Sequence, residues 1–351
     1  MRRPRSVRDA DVASKRVLVR ADLNVPLDDG RVADDTRIRA SLPTLQLLLE
    51  RDAAEVRVCS HLGRPKTYED RAKYSMEPVR ERLRELLSDD RVIVLENTRF
   101  DPRETKNDES YARELANGCD LYVNDAFGSA HRAHASTEAV AHLLPAYAGL
   151  LLERELEMLG RLLAPDLERP FALISGGAKV QDKLGVLERL GSRADDVLVG
   201  GKMAEQIRDA NPLSFPVTLP VDVVAASELS EDAETEVAPY DDLREGWLGL
   251  DIGPQTRERF QERIARARTV FWNGPMGVFE WPRFAEGTRA VAEAVAGNRE
   301  AFTVVGGADS IRALTEIRLV DDIDWASTGG GASLELLEGR ELPGVAAIPA
   351  A

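Results

Sequence analysis

The chain has 351 residues, 43% hydrophobic and 30% charged, which is long for one domain and comfortable for two. Its formal net charge of −15 argues against nonspecific nucleic-acid binding and against anionic membrane surfaces, and no run of 18 apolar residues predicts a membrane span. The basic start Met1-Arg2-Arg3-Pro4-Arg5 is followed by no apolar stretch of signal length, and Cys59 and Cys119 make neither a disulfide framework nor a zinc site, so the expected setting is the cytoplasm.

From Arg16 onward, short apolar runs alternate with longer amphipathic stretches, the pattern of βαβ units around a parallel sheet. Arg16–Ala21 predicts a strand. A helix over Asp34–Glu50 carries Ile38, Leu42, Leu45 and Leu49 at helical spacing, with Asp35 as its candidate cap. A strand at Val56–Ser60, a helix at Met76–Leu87, a strand at Val92–Leu95, a helix at Glu109–Ala116 and a strand at Leu121–Asn124 complete the first block. His142 is placed in an apolar helix with a structural role. Leu150–Leu163 reads as one continuous helix, ended by Pro165 and Pro170, and the domain junction is expected there. The second block has strands at Phe171–Ser175, Val197–Val199, Thr269–Trp272 and Phe302–Val305, with helices at Val180–Leu190, Arg257–Ala267, Arg283–Ala296 and Ala308–Ile317. The fold class is therefore α/β, with two doubly wound parallel-sheet (Rossmann-like) domains joined by a hinge helix.

In doubly wound sheets ligands bind beyond the carboxyl ends of the strands, and the polar clusters fall there. In the first block Arg37, His61, Arg64, Arg99, His131 and Arg132 follow strands or enter helices, and arginine's rigid fork suits phosphate and carboxylate. Asp22 and Asn24 are candidates to bond a ligand hydroxyl. The pair His131/His134 lacks carboxylate or cysteine partners, so no metal is expected on it.

The second block has neither a GxxxxGK[ST] nor a helix-opening GxGxxG motif. A strand instead runs into Ser175-Gly176-Gly177-Ala178-Lys179-Val180-Gln181-Asp182-Lys183. Glycines let backbone approach phosphate oxygens, and a helix start favours anions. Lys179 and Lys183 share one helix face, where two ammonium groups repel unless an anion lies between them. In Gly306-Gly307-Ala308-Asp309-Ser310 the carboxylate of Asp309 is placed to hold Mg²⁺, which binds few carboxylates plus substrate phosphates. Glu280 is a candidate acceptor for ribose hydroxyls. Gly329, Gly330 and Gly331, opening a short helix, offer N–H groups to a phosphoryl group in transit.

These segments closely resemble one family. Val19-Arg20-Ala21-Asp22-Leu23-Asn24-Val25-Pro26-Leu27 is similar to the opening signature of the phosphoglycerate kinases. His61 to Lys66, Glu96 to Phe100, Asn124 to His134, Gly176 to Val180, Asn273 to Glu280 and Ser327 to Ser333 follow in the same order. The resemblance implies a monomeric glycolytic enzyme that moves a phosphoryl group between 1,3-bisphosphoglycerate and ADP, giving 3-phosphoglycerate and ATP with Mg²⁺. It implies a 3-phosphoglycerate-binding domain at 1–149, onto which the tail 340–351 packs back, an interdomain helix at 150–165 and a nucleotide-binding domain at 166–339. It also gives the residues their parts. Asp22, Asn24, Arg37, His61, Arg64, Arg99 and Arg132 contact the acid. Lys179, Lys183, Asn273, Glu280, Gly306, Gly307, Asp309 and Ser310 contact the nucleotide, with Asp309 near the metal. Arg37, Lys179 and the amides of Gly329 to Gly331 neutralise the moving group, and closure about the helix brings the ligands in line.

The sequence departs from the family pattern in its second block. Gly200-Gly201-Lys202-Met203 carries lysine where the family has a third glycine close to the adenine, and Ala308 replaces another glycine. Between Met203 and Pro220 the chain is short, and Pro212 and Pro216 suggest an irregular connection in place of the usual helical segment. Two outcomes are open: altered nucleotide affinity, base preference or turnover, or a peripheral loss with Lys202 turned to solvent.

Overall fold

The computed structural model describes residues 3–178, 181 and 183–351. The chain divides into two compact units, one of Met1–Glu157 with Arg340–Ala351 and one of Met158–Gly339.

In the N-terminal unit the strands of the main sheet are β1 (Arg16–Arg20), β2 (Glu55–Cys59), β3 (Val92–Val94), β4 (Leu121–Asn124) and β5 (Ala146–Ala148), and the longer helices are α1 (Thr36–Glu50), α2 (Glu77–Leu86) and α3 (Glu109–Ala116). The sheet is parallel in the order β3-β2-β1-β4-β5, which puts its switch point between β1 and β4. Both faces of a parallel sheet are covered, so its central strands carry apolar cores. Val17, Leu18 and Val19 are fully buried, and Val19 lies beside Val58 and Val123. Helix α1 turns Ile38, Leu45 and Leu48 onto this core. Asp35 holds the cap position but does not cap. Asp34 accepts from Thr36 N at 2.8 Å, while the Asp35 carboxylate takes Arg39 (2.9 Å) and Arg82 (2.7 Å), whose hydrogen bonds hold its pKa below the usual range. His142 corrects the sequence reading: it ends a 3-10 turn at Ala139–His142 and bonds Glu138 at 2.8 Å, with its side chain more than half exposed. Cys59 is a core residue whose thiol burial pushes up to about 12. The chain ends meet in this unit. Arg5 N donates to Pro349 O (2.9 Å), and Asn124 Nδ2 donates to Gly344 O (2.9 Å).

Helix α4 (Leu150–Leu163) begins in the N-terminal unit, and its residues from Met158 belong to the second. The C-terminal unit contains β6 (Phe171–Ser175), α5 (Leu184–Gly191), β7 (Asp196–Val199) and α6 (Gly201–Asp209). Next come β8 (Asp222–Ala226), β9 (Thr235–Pro239), β10 (Leu248–Ile252) and α7 (Pro254–Arg266). The unit continues with β11 (Thr269–Asn273), α8 (Glu286–Gly297), β12 (Phe302–Gly306), α9 (Ala308–Glu316), β13 (Trp325–Ser327) and α10 (Gly331–Leu337). The main sheet is parallel, β13-β12-β11-β6-β7, and its switch point falls between β6 and β11. The two sheets are thus wound in different strand orders. An antiparallel sheet, β9-β8-β10, lies outside the sequence expectation. The helix expected over Val180–Leu190 starts at Leu184, with Lys183 at the cap position before it rather than on a helix face, and Val180 and Asp182 lie outside the described residues. The helix expected from Arg283 starts at Glu286, after a 3-10 turn at Pro282–Phe284. In the short connection helix α6 persists to Asp209, and 210–221 then run irregularly with one bridge, Thr218 to Leu198.

Candidate active site

In the N-terminal unit the sequence-predicted residues lie beyond the carboxyl ends of β1 to β4. Asp22 follows β1, and both of its carboxylate oxygens accept from Arg37 Nη1, at 3.1 and 3.0 Å, from the first turn of α1. The amide oxygen of Asn24 accepts from Gly63 N at 2.8 Å, and Gly63 O accepts from Arg99 Nη1 at 2.6 Å. Gly63 joins the β1 and β3 loops because it has no side chain. Its φ is +59°, and a Cβ there would strike the Tyr74 ring. His61 is buried after β2, with Nδ1 at 3.0 Å from Arg20 Nη2. Arg132 follows β4 and donates from Nε to His131 Nε2 at 3.1 Å.

Arg64, Arg99, Arg132 and His134 line one cavity of about 820 Å³, shared with Lys66, Arg71 and Lys106. Burial, then Arg132, Arg20 and Arg64, pull Arg99 down to about 10. His134 falls to about 4 through burial and through Arg99, Arg132 and Arg20. His61 lies well below its usual range for the same reasons. Like charges gathered in a partly desolvated cavity raise the free energy of the empty site, and an anion lowers it.

In the C-terminal unit the ends of β6, β11, β12 and β13 carry the glycine-rich turns. Lys183 Nζ donates to Gly176 O (2.6 Å) and Asn273 O (3.1 Å), bracing the turns on either side of the switch point. Trp272 Nε1 donates to Gly274 O (2.7 Å), and Gly274 N donates to the buried Ser310 Oγ (2.7 Å). Gly274 has φ +99°, and a Cβ on it would meet Lys183 Nζ and Gly176 O. Gly274→Ala is therefore expected to lower unfolding free energy by at least about 1–2 kcal/mol from the backbone alone. An unchanged denaturant midpoint would show that the turn is not constrained in this way.

Asn273 is buried at the end of β11, and Gly306 and Gly307 close β12 before α9. Asp309 is exposed in the first turn of α9 and makes no hydrogen bond or ion pair among the described residues. Glu280 accepts from Arg312 Nη2 at 2.8 Å, and Arg312 lies over the Phe279 ring at 4.4 Å. Gly329 N donates to Ser327 Oγ at 3.4 Å, while Gly330 and Gly331 are exposed at the start of α10. Lys179 lies outside the described residues. Lys202 is exposed, and its ammonium pairs with Glu205 one turn along α6.

Sequence reading missed Arg20, Glu104 and Ser136, which form a buried polar chain under the N-terminal cluster. An arginine ending an otherwise apolar central strand was the available signal, because a buried guanidinium requires polar partners.

Comparison with known proteins gives one family. The family model described as phosphoglycerate kinase matches residues 7–91, 87–215 and 207–340. The stretches overlap at 87–91 and at 207–215, the latter covering the end of α6 and the start of the short connection after it. The chain is 51% identical over 389 residues to a protein named phosphoglycerate kinase from Rubrobacter xylanophilus, with 98% of each covered. It is 50% identical over 396 residues to one from Chloroflexus aurantiacus, again with 98% of each covered. Both alignments are longer than the 351 residues of the chain, so these relatives carry positions that it lacks. Among solved structures it is similar to phosphoglycerate kinase from Coxiella burnetii (TM-score 0.88, 36% identity) and from Pyrococcus horikoshii OT3 (TM-score 0.84, 31% identity), each with 98% of both chains covered.

Proposed function

From the premise that the chain belongs to the phosphoglycerate kinase family and catalyses reversible phosphoryl transfer between 1,3-bisphosphoglycerate and ADP, we propose which of its residues perform each part. The basic cluster of the N-terminal unit holds the acid, through Asp22, Asn24, Arg37, His61, Arg64, Arg99 and Arg132. The strand-end turns of the C-terminal unit hold ADP or ATP, through Lys179, Lys183, Asn273, Glu280, Gly306, Gly307, Asp309 and Ser310. The observation that carries the assignment is the crowding of Arg64, Arg99 and Arg132 on one cavity with Arg99 drawn down to about 10.

The chemistry asks for positioning and charge neutralisation rather than a base. Toward ATP, an oxygen of the ADP β-phosphate forms a bond to the acyl-phosphate phosphorus, and the bond from that phosphorus to the carboxyl oxygen breaks. The carboxylate leaves with the electron pair and no proton moves. In reverse the ionised carboxylate is itself the nucleophile. We assign neutralisation of the moving group to Arg37, Lys179 and the amides of Gly329 to Gly331, and the hinge of the required closure to α4. The exposed oxygen donors of Asp309, beside the Gly306–Gly307 turn, suit Mg²⁺. When bound, Mg²⁺ offsets phosphate charge. Lys183 and Ser310 have the further part of bracing the turns, since their polar atoms are engaged by backbone. Because the Lys202 ammonium is taken up by Glu205, ordinary ATP use is expected, with ATP outperforming GTP and ITP. Equal use of the three would reverse that assignment. The proposed setting is a cytoplasmic monomer.

The direct test gives the protein 3-phosphoglycerate and Mg²⁺-ATP and follows NADH oxidation by added glyceraldehyde-3-phosphate dehydrogenase. Lys179→Ala is expected to lower kcat on the order of 10³-fold, and a loss below tenfold would remove Lys179 from the transfer step. Arg132→Met is expected to raise KM for 3-phosphoglycerate roughly 10- to 100-fold. It should move His134 upward from about 4, read by NMR titration. An unmoved His134 would show that the cluster is not coupled through charge.

A further inference from the structure

We propose that Arg20 is a positioning residue for phosphoryl transfer: its guanidinium fixes His61 as the tautomer protonated on Nε2, making a buried neutral ring a standing hydrogen-bond donor to the acid. The inference rests on the reading that His61 contacts 3-phosphoglycerate.

Arg20 ends the central strand β1 at 1% exposure, and His61 follows the adjacent β2 at 5%. The guanidinium is held on every side. Its Nε donates to Ser136 Oγ at 2.8 Å, Nη1 donates to Ala21 O and lies 3.4 Å from Ser60 Oγ, and Nη2 is 3.0 Å from His61 Nδ1. Ser136 is fixed in turn by Glu104, which is fully buried. Ser136 Oγ donates to Oε1 at 2.6 Å, and Ser136 N donates to Oε2 at 3.0 Å. The positive charge is thus answered by a carboxylate through one hydroxyl, and the plane of the fork is set before any ligand arrives.

A guanidinium has five N–H donors and no acceptor. In the contact with Arg20, Nδ1 must therefore be the acceptor, and in a neutral imidazole the proton then sits on Nε2. Burial keeps the ring neutral, assisted by Arg20, Arg99, Arg132 and Arg37. A carbonyl or carboxylate in place of Arg20 would draw the proton to Nδ1 and leave Nε2 as a lone pair, which repels an anionic ligand. The residue at position 20 therefore decides whether His61 attracts or repels the acid, and it does so without adding another cation to the crowded arginines.

The test uses the full-length protein labelled with ¹⁵N on histidine and arginine. The two-bond ¹H–¹⁵N pattern of His61 is expected to show protonated Nε2 and bare Nδ1, with the Nε2 signal moving on saturation with 3-phosphoglycerate. Arg20→Gln, whose amide both donates and accepts, should give mixed tautomers and raise KM for 3-phosphoglycerate about tenfold, with a smaller change in kcat. Should Arg20 variants fail to fold, a second pair decides. Glutamine at 61 puts its amide near the Nε2 position and asparagine near the Nδ1 position, so His61→Gln should lose clearly less affinity than His61→Asn. A proton on Nδ1 in the wild-type enzyme overturns the inference, as does the reverse order of the position-61 variants. If 3-phosphoglycerate moves arginine Nε signals but not His61, this inference alone falls. If it moves neither, the proposed acid site falls with it.

Discussion

Arg37→Ala is expected to lower kcat roughly 10³-fold, the scale on which an arginine stabilises transferring phosphoryl charge. Arg37 stands in the first turn of α1, with one Nη held between both oxygens of Asp22. Asp22 is 9% exposed at its side chain and Arg37 34%, so one end of the pair is anchored inside and the other reaches solvent. The anchored carboxylate sets the direction of the guanidinium, and the remaining N–H donors are available to oxygens of the moving group. Removing the arginine also leaves a buried carboxylate unpaired, so stability falls along with activity. Two companions separate the effects. Asp22→Asn added to Arg37→Ala should recover melting temperature without recovering kcat. Arg37→Lys should keep much of the stability but only part of the rate, because an ammonium lacks the fork. Steady-state kinetics and thermal unfolding of the four proteins read this directly. A fall in kcat below tenfold for Arg37→Ala would assign the neutralisation elsewhere.

Much of the architecture was legible because strands buried on both faces need uniformly apolar runs. The strands Leu121–Asn124 and Phe171–Ser175 fall end for end where the sequence places them. The order of strands in each sheet was not legible. Alternation of strand and helix predicts parallel winding, while the position of the switch point depends on contacts between distant segments. The sheet β9-β8-β10 escaped for a related reason. Its edge strand β9 leaves Val237 exposed at 57%, so the pattern of one buried face is blurred. The candidate acid-site residues were legible as polar clusters after apolar strands. Arg20 was hidden by the same rule, since it lies inside the run rather than after it. Lys183 reads as a ligand contact from its spacing and, like Ser310, from the family resemblance, and neither signal shows that neighbouring backbone groups already engage their polar atoms.

Replacing Asp125 by asparagine is expected to stabilise the protein above neutral pH and not below pH 5. Asp125 is fully buried just past β4. Its Oδ1 accepts from Leu151 N at 2.9 Å and lies 3.4 Å from Leu152 N, in the first turn of α4, while Oδ2 is buried with no partner. Burial raises its pKa to about 7 against the opposing pull of the Thr44 hydroxyl and of the Leu151 and Leu152 N–H groups. The sign follows from proton counting. Between about pH 4 and pH 7 the folded state keeps this proton and the unfolded chain releases it, so this contribution is present at low pH and lost as pH rises through 7. At 1.36 kcal/mol per pH unit the full span is about 4 kcal/mol, an order of magnitude that relaxation of the site reduces. Asparagine keeps the acceptor oxygen and puts its amide where Oδ2 has no partner, so the variant lacks this slope. His61 and His134 titrate with the opposite sign at lower pH, but they do so in both proteins and cancel in the difference. Asp251 supplies the contrast. It is also raised by burial to about 7, but Ile252 N (2.9 Å) and Gly287 N (2.7 Å) occupy separate oxygens. An amide there must face one of those N–H groups, so Asp251→Asn is expected to destabilise at every pH. Melting temperatures at pH 5 and pH 8 for the wild type and both variants decide the matter. A gap between Asp125→Asn and wild type that does not widen with pH would mean that the Asp125 carboxyl is already ionised in the folded protein. The first turn of α4 would then be capped by a charge rather than by a neutral acid.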